Sequence, residues 1–525
     1  MTRPDSFHVY DTTLRDGAQR EGISYSVNDK LAVARLLDEY GVGFIEGGWP
    51  GAMPKDTEFF QRARTELTLR NAQLVAFGAT RKAGVKVQDD PQVRALLDSH
   101  APVVTLVAKS DVRHVLEALR TDLDENERMV TDTVSFLVGE GRRVFVDMEH
   151  FFDGYRHDPD YGVRLLVAAA SAGADVGVMC DTNGGMLPHG MYEVVADVRR
   201  RSGVRLGIHC QDDTGCAIAN SVSAVEAGAT HVQCTANGYG ERTGNADLFV
   251  VVPNLKLKLG IDCLPEGALA ETVRISHAIA EIANIAPNTH QPYAGWASFA
   301  HKAGLHASAL KVSADLYNHI DPALVGNEQN VLVTEMAGRA SIELKAGELG
   351  HDLGQRPELV TAVVEQVKAL ESEGWTFEAA DASFELLLLR EDGMQAGFEV
   401  ESWRTIVEQD ADGTVKSEAT VKLVVDGERI ITTAEGNGPV NALDRALRRA
   451  IVKVHPDLDT LKLTDYKVRI LDEKSGSGAK TRVLIEMTNG HDSWSTVGVH
   501  ENVIASSWRA LEDAVTYGIW RKDHR

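Results

Sequence analysis

FHVYDTTLRDGAQ, residues 7–19, decides the fold. Five residues of β-strand texture, FHVYD, run directly into a polar turn carrying a base, an acid and a glycine. A doubly wound nucleotide-binding sheet places a G-x-G-x-x-G turn after its first strand, and TTLRDGAQ contains none. Outward from this segment the same unit recurs as VGFIEGG (42–48), QLVAFGAT (73–80), VVTLVAK (103–109), RVFVDMEH (143–150), DVGVMCDTNG (175–184), RLGIHCQDD (205–213) and THVQCTANG (230–238). Amphipathic stretches with helical spacing lie between them, such as NDKLAVARLLDEYG (28–41) and NADLFVVVPNLKLKLG (245–260). Eight strands with eight following helices, over about residues 5–260, match the size of a closed (β/α)8 TIM barrel of the α/β class.

Nearly every strand turns polar at its C-terminal end: Asp11, Arg15 and Asp16; Glu46; Thr80; Lys109; Glu149; Asp181 and Thr182; His209, Gln211 and Asp212; Asn237. Barrel enzymes carry their chemistry at that end, so these residues are expected to line one mouth.

The sequence divides into a catalytic barrel (1–264), a mainly helical linker subdomain (265–374) and a C-terminal α+β regulatory or dimerisation domain (375–525). The linker runs from ALAETVRISHAIAEIAN (268–284) to VTAVVEQVKALESEG (360–374), interrupted by the turn-rich APNTHQPYAGWASFAHKAGLH (286–306). The last part contains an internal repeat. VKLVVDGERIITTAEGNGPVNALDRALRRAI (421–451) resembles RVLIEMTNGHDSWSTVGVHENVIASSWRALEDAV (482–515), each reading as strand, turn, strand, loop, helix. Two such units can hold a small ligand between them, or serve only to dimerise the chain.

Composition bounds the function. Hydrophobic residues are 43% and charged residues 25% of 525, a globular balance. A net charge of −23 argues against nucleic acid or an anionic membrane as the main partner. No signal-peptide pattern or bilayer-length apolar run is visible. The five scattered cysteines form no C-x-x-C pair. A soluble protein of the reducing cytoplasm is expected.

Three segments carry the chemistry. DTTLRDG sets Arg15 beside Asp16: a carboxylate at the barrel mouth can bind a divalent cation, and a guanidinium can polarise a carbonyl or hold a carboxylate. On the seventh strand His209 and Gln211 are two apart and share a face, so both can point at one ion, Gln211 through a neutral carbonyl oxygen. TANGYGERTGNADL (235–248) forms a glycine-permitted tight loop ending at Asn245, which can offer an amide oxygen or act as a helix cap.

Together YDTTLRDG, the seventh-strand His motif and NGYGERTGN resemble the metallolyase-like barrels that include the 2-isopropylmalate, homocitrate and citramalate synthases. The resemblance covers essentially the whole chain. GNGPVNALDRAL and its repeat look like the regulatory domain of the first and third of these enzymes. IEGGWPGAMPKD, PYAGWASFAHKAGLH and FEAADASFELLLLR look most like the citramalate synthase branch.

The resemblance implies roles at matching positions. Asp16, His209, Gln211 and Asn245 are expected at a divalent metal (Mn, Mg, Co or Zn). Arg15 is expected to polarise the substrate ketone, Thr182 to hold its carboxylate, and Glu149 to act as an active-site acid or base. His306, in GLHAS, is expected as a catalytic histidine that reaches a partner's barrel in a homodimer, with Tyr317 nearby. Gly436, Gly438 and Pro439 mark the expected regulatory loop. The family's usual seventh-strand pattern is His-x-His, whereas this chain has His209-Cys210-Gln211.

The implied reaction joins the acetyl group of acetyl-CoA to pyruvate, giving (R)-citramalate and free CoA for isoleucine synthesis, with isoleucine as feedback inhibitor. A 2-isopropylmalate synthase with a larger acyl pocket, a carbon–carbon lyase, and a catalytically weak amino-acid sensor remain as alternatives.

Overall fold

The computed structural model describes residues 5–302, 304–310, 312–331, 333, 338–425, 427–471 and 478–524. Eight parallel strands, β1 (His8–Asp11), β2 (Phe44–Gly48), β3 (Gln73–Ala79), β4 (Val103–Lys109), β5 (Arg143–Glu149), β6 (Val176–Asp181), β7 (Leu206–Cys210) and β8 (His231–Cys234), close in sequence order into a barrel. Closure pairs β1 with β8 in the register His8 to His231 and Asp11 to Cys234.

Helices α1 (Val27–Tyr40), α2 (Pro54–Glu66), α3 (Pro91–Asp98), α4 (Leu123–Gly139), α5 (Phe151–His157), α6 (Pro159–Ser171), α7 (Pro188–Ser202), α8 (Ala217–Glu226) and α9 (Leu248–Pro253) follow the strands, with α5 as an extra short helix after β5. Local chemistry sets their ends. Ser26 and Asp29 form a reciprocal capping box at the start of α1, and Gly41, at φ 89°, ends it in the left-handed region. Strands alternate between two cores. One side packs against the helices. The other fills the barrel interior with Tyr10, Phe44, Val75, Val103, Phe145, Val176, Val178 and Cys180.

The chain forms two compact units, residues 1–299 with 320–328, and residues 300–319 with 329–525. Helix α10 (Thr272–Ala283), assigned to the linker in the sequence, belongs to the barrel unit, where Thr272 meets the Tyr40 hydroxyl of α1.

The second unit holds the two-residue strands β9 (Ala300–His301) and β10 (Asn330–Val331), and helices α11 (Gly304–Leu310), α12 (Arg339–Glu348), α13 (Pro357–Ser372) and α14 (Asp381–Glu391). Two antiparallel sheets follow. β11 (Phe398–Gln409), β12 (Val415–Val425) and β13 (Glu428–Gly436) precede α15 (Pro439–Val454); β14 (Lys462–Ile470), β15 (Thr481–Thr488) and β16 (Ser493–His500) precede α16 (Val503–His524).

Each repeat therefore starts with a strand that the sequence pattern misses. β11 and β14 are edge strands, largely exposed along their length, so they lack the clean alternation that marks β12 and β15. The repeat has a constant offset of 64 residues. Thr432 donates to the carbonyl of Ala446 and Thr496 to that of Ala510, both at 2.7 Å. Arg445 and Arg509 donate to the carbonyls of Glu435 and Val499 in the same way. Both halves contribute to one core, in which Trp403 of β11 stacks on Trp508 of α16.

Candidate active site

At the C-terminal mouth of the barrel lies a cavity of about 470 Å³. Arg15, Asp16, Lys109, Asp147, Glu149, Thr182, His209 and Gln211 line it, with an apolar wall of Trp49, Phe77, Ala79, Val107 and Cys180. Strand register explains which side chains enter. His209 and Gln211 face the cavity while Cys210 between them is buried elsewhere.

Several polar strand-end residues do not line this mouth, contrary to expectation. The Asp11 carboxylate accepts from Thr13, Asp181 from the amides of Gly185 and Met186, and Asp212 from the amide of Ala217. The Asn237 side chain donates to the carbonyl of Ser276. These residues brace the loops.

Arg15 is fixed from three sides. Its Nε donates to Glu46 Oε1 at 2.5 Å, its guanidinium lies 3.5 Å from Asp16, and it sits over the Phe77 ring at 3.9 Å. Burial opposes its charge, but Glu46 and Asp16 outweigh that and hold its pKa above the ordinary arginine range. Fully buried Glu46 also accepts from Tyr10 and Thr12. It was visible in the sequence as a strand-end acid; its part in anchoring Arg15 was not.

Asp16 Oδ2 and His209 Nε2 face each other at 3.4 Å. On its other side His209 Nδ1 is 2.8 Å from Gln233 Oε1. Burial lowers the His209 pKa, against the pull of Asp16, which favours the neutral ring. An amide oxygen only accepts, so the proton of that ring sits on Nδ1. Nε2 then presents a lone pair to a carboxylate oxygen.

Gln211 lines the same cavity, and Asn245 is its neighbour across a β-bridge. The side-chain Oε1 of Gln211 and Oδ1 of Asn245 are buried without a hydrogen-bond partner. Buried polar atoms are rarely left so. One carboxylate, one imidazole nitrogen and two neutral oxygens without a hydrogen-bond partner form a set able to bind a hard or borderline divalent cation. The loop that delivers Asn245 depends on glycine: a Cβ on Gly244 (φ 95°) would lie 2.0 Å from the Gly238 carbonyl oxygen, and one on Gly240 (φ 152°) 2.2 Å from the Asn245 amide nitrogen.

A second acidic cluster, Asp5, His8 and Asp175, also has metal-like spacing. It surrounds the N-terminal ends of β1 and β6, and Arg143 bonds both Asp5 and Asp175. It is a charge-compensated network at the wrong end of the barrel for catalysis.

Glu149 is ion-paired with Lys109 across adjacent strands β5 and β4. Thr182 Oγ1 accepts from the amide of His150 at 2.8 Å, which leaves its own O–H available to a ligand. Asp147, two residues before Glu149 on the same face, is pushed up to about 8 by burial and by Glu46. Arg242 ties the loop after β8 to that after β6, donating to the Thr182 carbonyl at 2.9 Å and pairing with Asp213. Asp147, Gln233 and Arg242 were not singled out from sequence. Gln233 carried no signal, being one polar residue in a short buried strand.

His306 and Tyr317 lie in the second unit, where their rings stack at 4.1 Å, with His301 6.0 Å from His306. Gly436, Gly438 and Pro439 form the turn between β13 and α15.

Comparison with known proteins agrees with this architecture. The HMGL-like family matches residues 6–279, the homocitrate synthase post-HMGL domain-like family residues 294–374, and the LeuA allosteric (dimerisation) domain residues 378–519. The chain is 66% identical to an (R)-citramalate synthase of Streptomyces coelicolor, covering 98% of this chain and 97% of the relative. It is 46% identical to an (R)-citramalate synthase of Aquifex aeolicus, over 99% of both. Identity to a probable 2-isopropylmalate synthase of Methanopyrus kandleri is 31%, over 97% of both.

Proposed function

Because the chain belongs to the HMGL-like family, and within it to the citramalate synthases, we propose that its barrel condenses acetyl-CoA with pyruvate and hydrolyses the thioester to give (R)-citramalate and CoA. The observation that carries the reading of the site is the Asp16–His209 pair facing across 3.4 Å beside the unpartnered oxygens of Gln211 and Asn245. Those four residues would hold a divalent cation. Once bound, it acts as a Lewis acid on the oxo acid.

The remaining steps belong to the chain's own groups. Arg15, rigid between Glu46 and Phe77, donates to the ketone oxygen as negative charge grows there. The free Thr182 hydroxyl proton binds the carboxylate of the oxo acid. Glu149, which lines the cavity, would take a methyl proton from the acetyl group, with His306 as the second candidate base. The new C–C bond forms between that methyl carbon and the ketone carbon, and the ketone oxygen takes up a proton, balancing the one removed from the methyl group, to become the product's hydroxyl. Water then attacks the thioester carbonyl, and CoA leaves as the thiol. The apolar wall of Trp49, Phe77 and Val107 sets the size of the acceptor's side chain.

A thiol-release assay with a panel of 2-oxo acids tests this. Pyruvate is expected to give a higher kcat/KM than 2-oxoisovalerate. Each of the two extra methyl groups is worth about 1–3 kcal/mol in an apolar pocket, roughly 10–200-fold. Equal or reversed preference overturns the assignment in favour of a 2-isopropylmalate synthase.

For the second unit, we propose that the paired repeats bind isoleucine and lower activity, which is supported by the match to an allosteric domain. The chain is also proposed to be a cytoplasmic homodimer. Among the described residues no helix is long and apolar enough to cross a membrane.

A further inference from the structure

A chain of three side chains crosses the barrel interior behind the cation site. Gln233, on the short strand β8, is 1% exposed. Its Nε2 donates to Asp147 Oδ1 at 2.9 Å, and its Oε1 is 2.8 Å from His209 Nδ1. A glutamine amide can lie in two senses, and here they have opposite consequences. In the observed sense the amide oxygen faces His209, the ring carries its proton on Nδ1, and Nε2 offers a lone pair toward Asp16. In the reversed sense the amide nitrogen donates to Nδ1. The ring proton then moves to Nε2 and points at Asp16, closing the site to a cation.

In its carboxylate form Asp147 discriminates between the two senses. Oδ1 accepts from the amide N–H as a carboxylate, and equally as a carboxylic acid whose proton lies on Oδ2. The reversed sense requires a proton on Oδ1 itself; otherwise two oxygens meet at hydrogen-bond distance. Neither Gln233 nor Asp147 is one of the four proposed ligands: Asp147 acts through Gln233, and Gln233 through His209.

We propose that Gln233, oriented by Asp147, is a positioning residue that locks His209 in the Nδ1-protonated tautomer and so keeps Nε2 available as a cation donor. Such outer hydrogen bonds fix ligand tautomer and ring orientation, and their loss typically weakens metal binding about 10–100-fold. The inference rests on the reading of Asp16 and His209 as cation ligands.

The test uses the full-length, metal-stripped enzyme, its Gln233→Met variant, which conserves length and apolar volume, and Asp147→Leu. Manganese titration by calorimetry gives affinity. Imidazole ¹⁵N spectra of histidine-labelled protein give the tautomer, with the His209 signals identified by their absence from His209→Ala. Metal-free parent enzyme is expected to show one His209 tautomer, protonated on Nδ1. Gln233→Met is expected to show loss of that single tautomer and an affinity lower by roughly 10–100-fold, and Asp147→Leu a change in the same direction. A Gln233→Met protein that keeps the parent's tautomer overturns the inference even if its affinity falls, since the effect is then structural. If Gln233→Met fails to fold, Asp147→Leu decides by the same two readouts. A parent enzyme that binds no manganese overturns the cation site itself, and this inference with it.

Discussion

At the residue scale, the question is what Gln211 does where related barrels usually carry a second histidine. Its Oε1 is buried and has no hydrogen-bond partner, so it is oriented as a ligand would be. A neutral carbonyl oxygen is a weaker and harder donor than imidazole. Chelation is expected to abolish activity and added divalent cation to restore it. Asp16→Ala and His209→Ala are expected to be nearly inactive yet folded, and Gln211→His to bind cation more tightly than the parent. Activity that survives exhaustive chelation removes the cation from the mechanism. Asp16, His209 and Gln211 were legible in the sequence because their spacing puts ligand-type atoms on strand ends. Glu46 was legible only as a strand-end acid, and Asp147 and Gln233 were not singled out. They act through neighbours on other elements, Glu46 on Arg15 and Asp147 through Gln233 on His209, and only the closed barrel brings these groups together.

At the element scale, β1 and β8 show how a barrel stores pH sensitivity away from its mouth. His8 and His231 meet at 3.2 Å, packed among Phe44 and Phe145. Burial lowers the His8 pKa to about 4, despite the Asp5 carboxylate. Its folded-state pKa lies below the unfolded value of 6.5, so the unfolded chain takes up a proton first as pH falls. Stability is therefore expected to drop between pH 6.5 and about 4. His8→Phe should flatten that part of the melting-temperature profile; an unchanged slope places the dependence elsewhere. The loop between β13 and α15 offers a separate test. A Cβ on Gly436 would lie 2.5 Å from the Ala442 amide nitrogen, but one on Gly438 meets nothing within 4 Å, and Gly438 has extended backbone at φ −171°. Gly438→Val is thus expected to fold and keep its basal activity while losing isoleucine inhibition. Retained inhibition removes Gly438 from the effector site, and no isoleucine binding by the parent in calorimetry leaves this region a dimerisation role only. Strand β13 before this loop, and β15 in the second repeat, were legible because one face of each is buried and alternates. The edge strands β11 and β14 were not, because exposure on both faces erases that alternation.

At the scale of the whole molecule, the candidate groups are divided between two compact units: Arg15, Asp16, Glu149, Thr182 and His209 in one, His306 and Tyr317 in the other. The stacked His306–Tyr317 pair, with His301 at its edge and bonded to Asn318, has the form of an oriented imidazole. No cation ligand or substrate-polarising group of the proposed mechanism lies beside it in the second unit. If it serves the condensation, it must join a barrel's groups in a shared site, and in a closed homodimer that barrel can be the partner's. Subunit mixing separates the arrangements. Asp16→Ala and His306→Ala proteins are each expected to be inactive. A mixed dimer with sites built across chains has one site in which both groups are intact and one in which both are lost. With equal mixing and free exchange, about half the dimers are mixed and each has one working site, so activity should return to roughly a quarter of the parent's. A dimer with each site inside one chain has one defective group in every site and recovers nothing. Recovery near a quarter, with exchange confirmed by mass spectrometry of differently labelled subunits, is the expected result. No recovery under the same confirmation assigns His306 to its own chain's barrel, and an active His306→Ala enzyme removes it from catalysis.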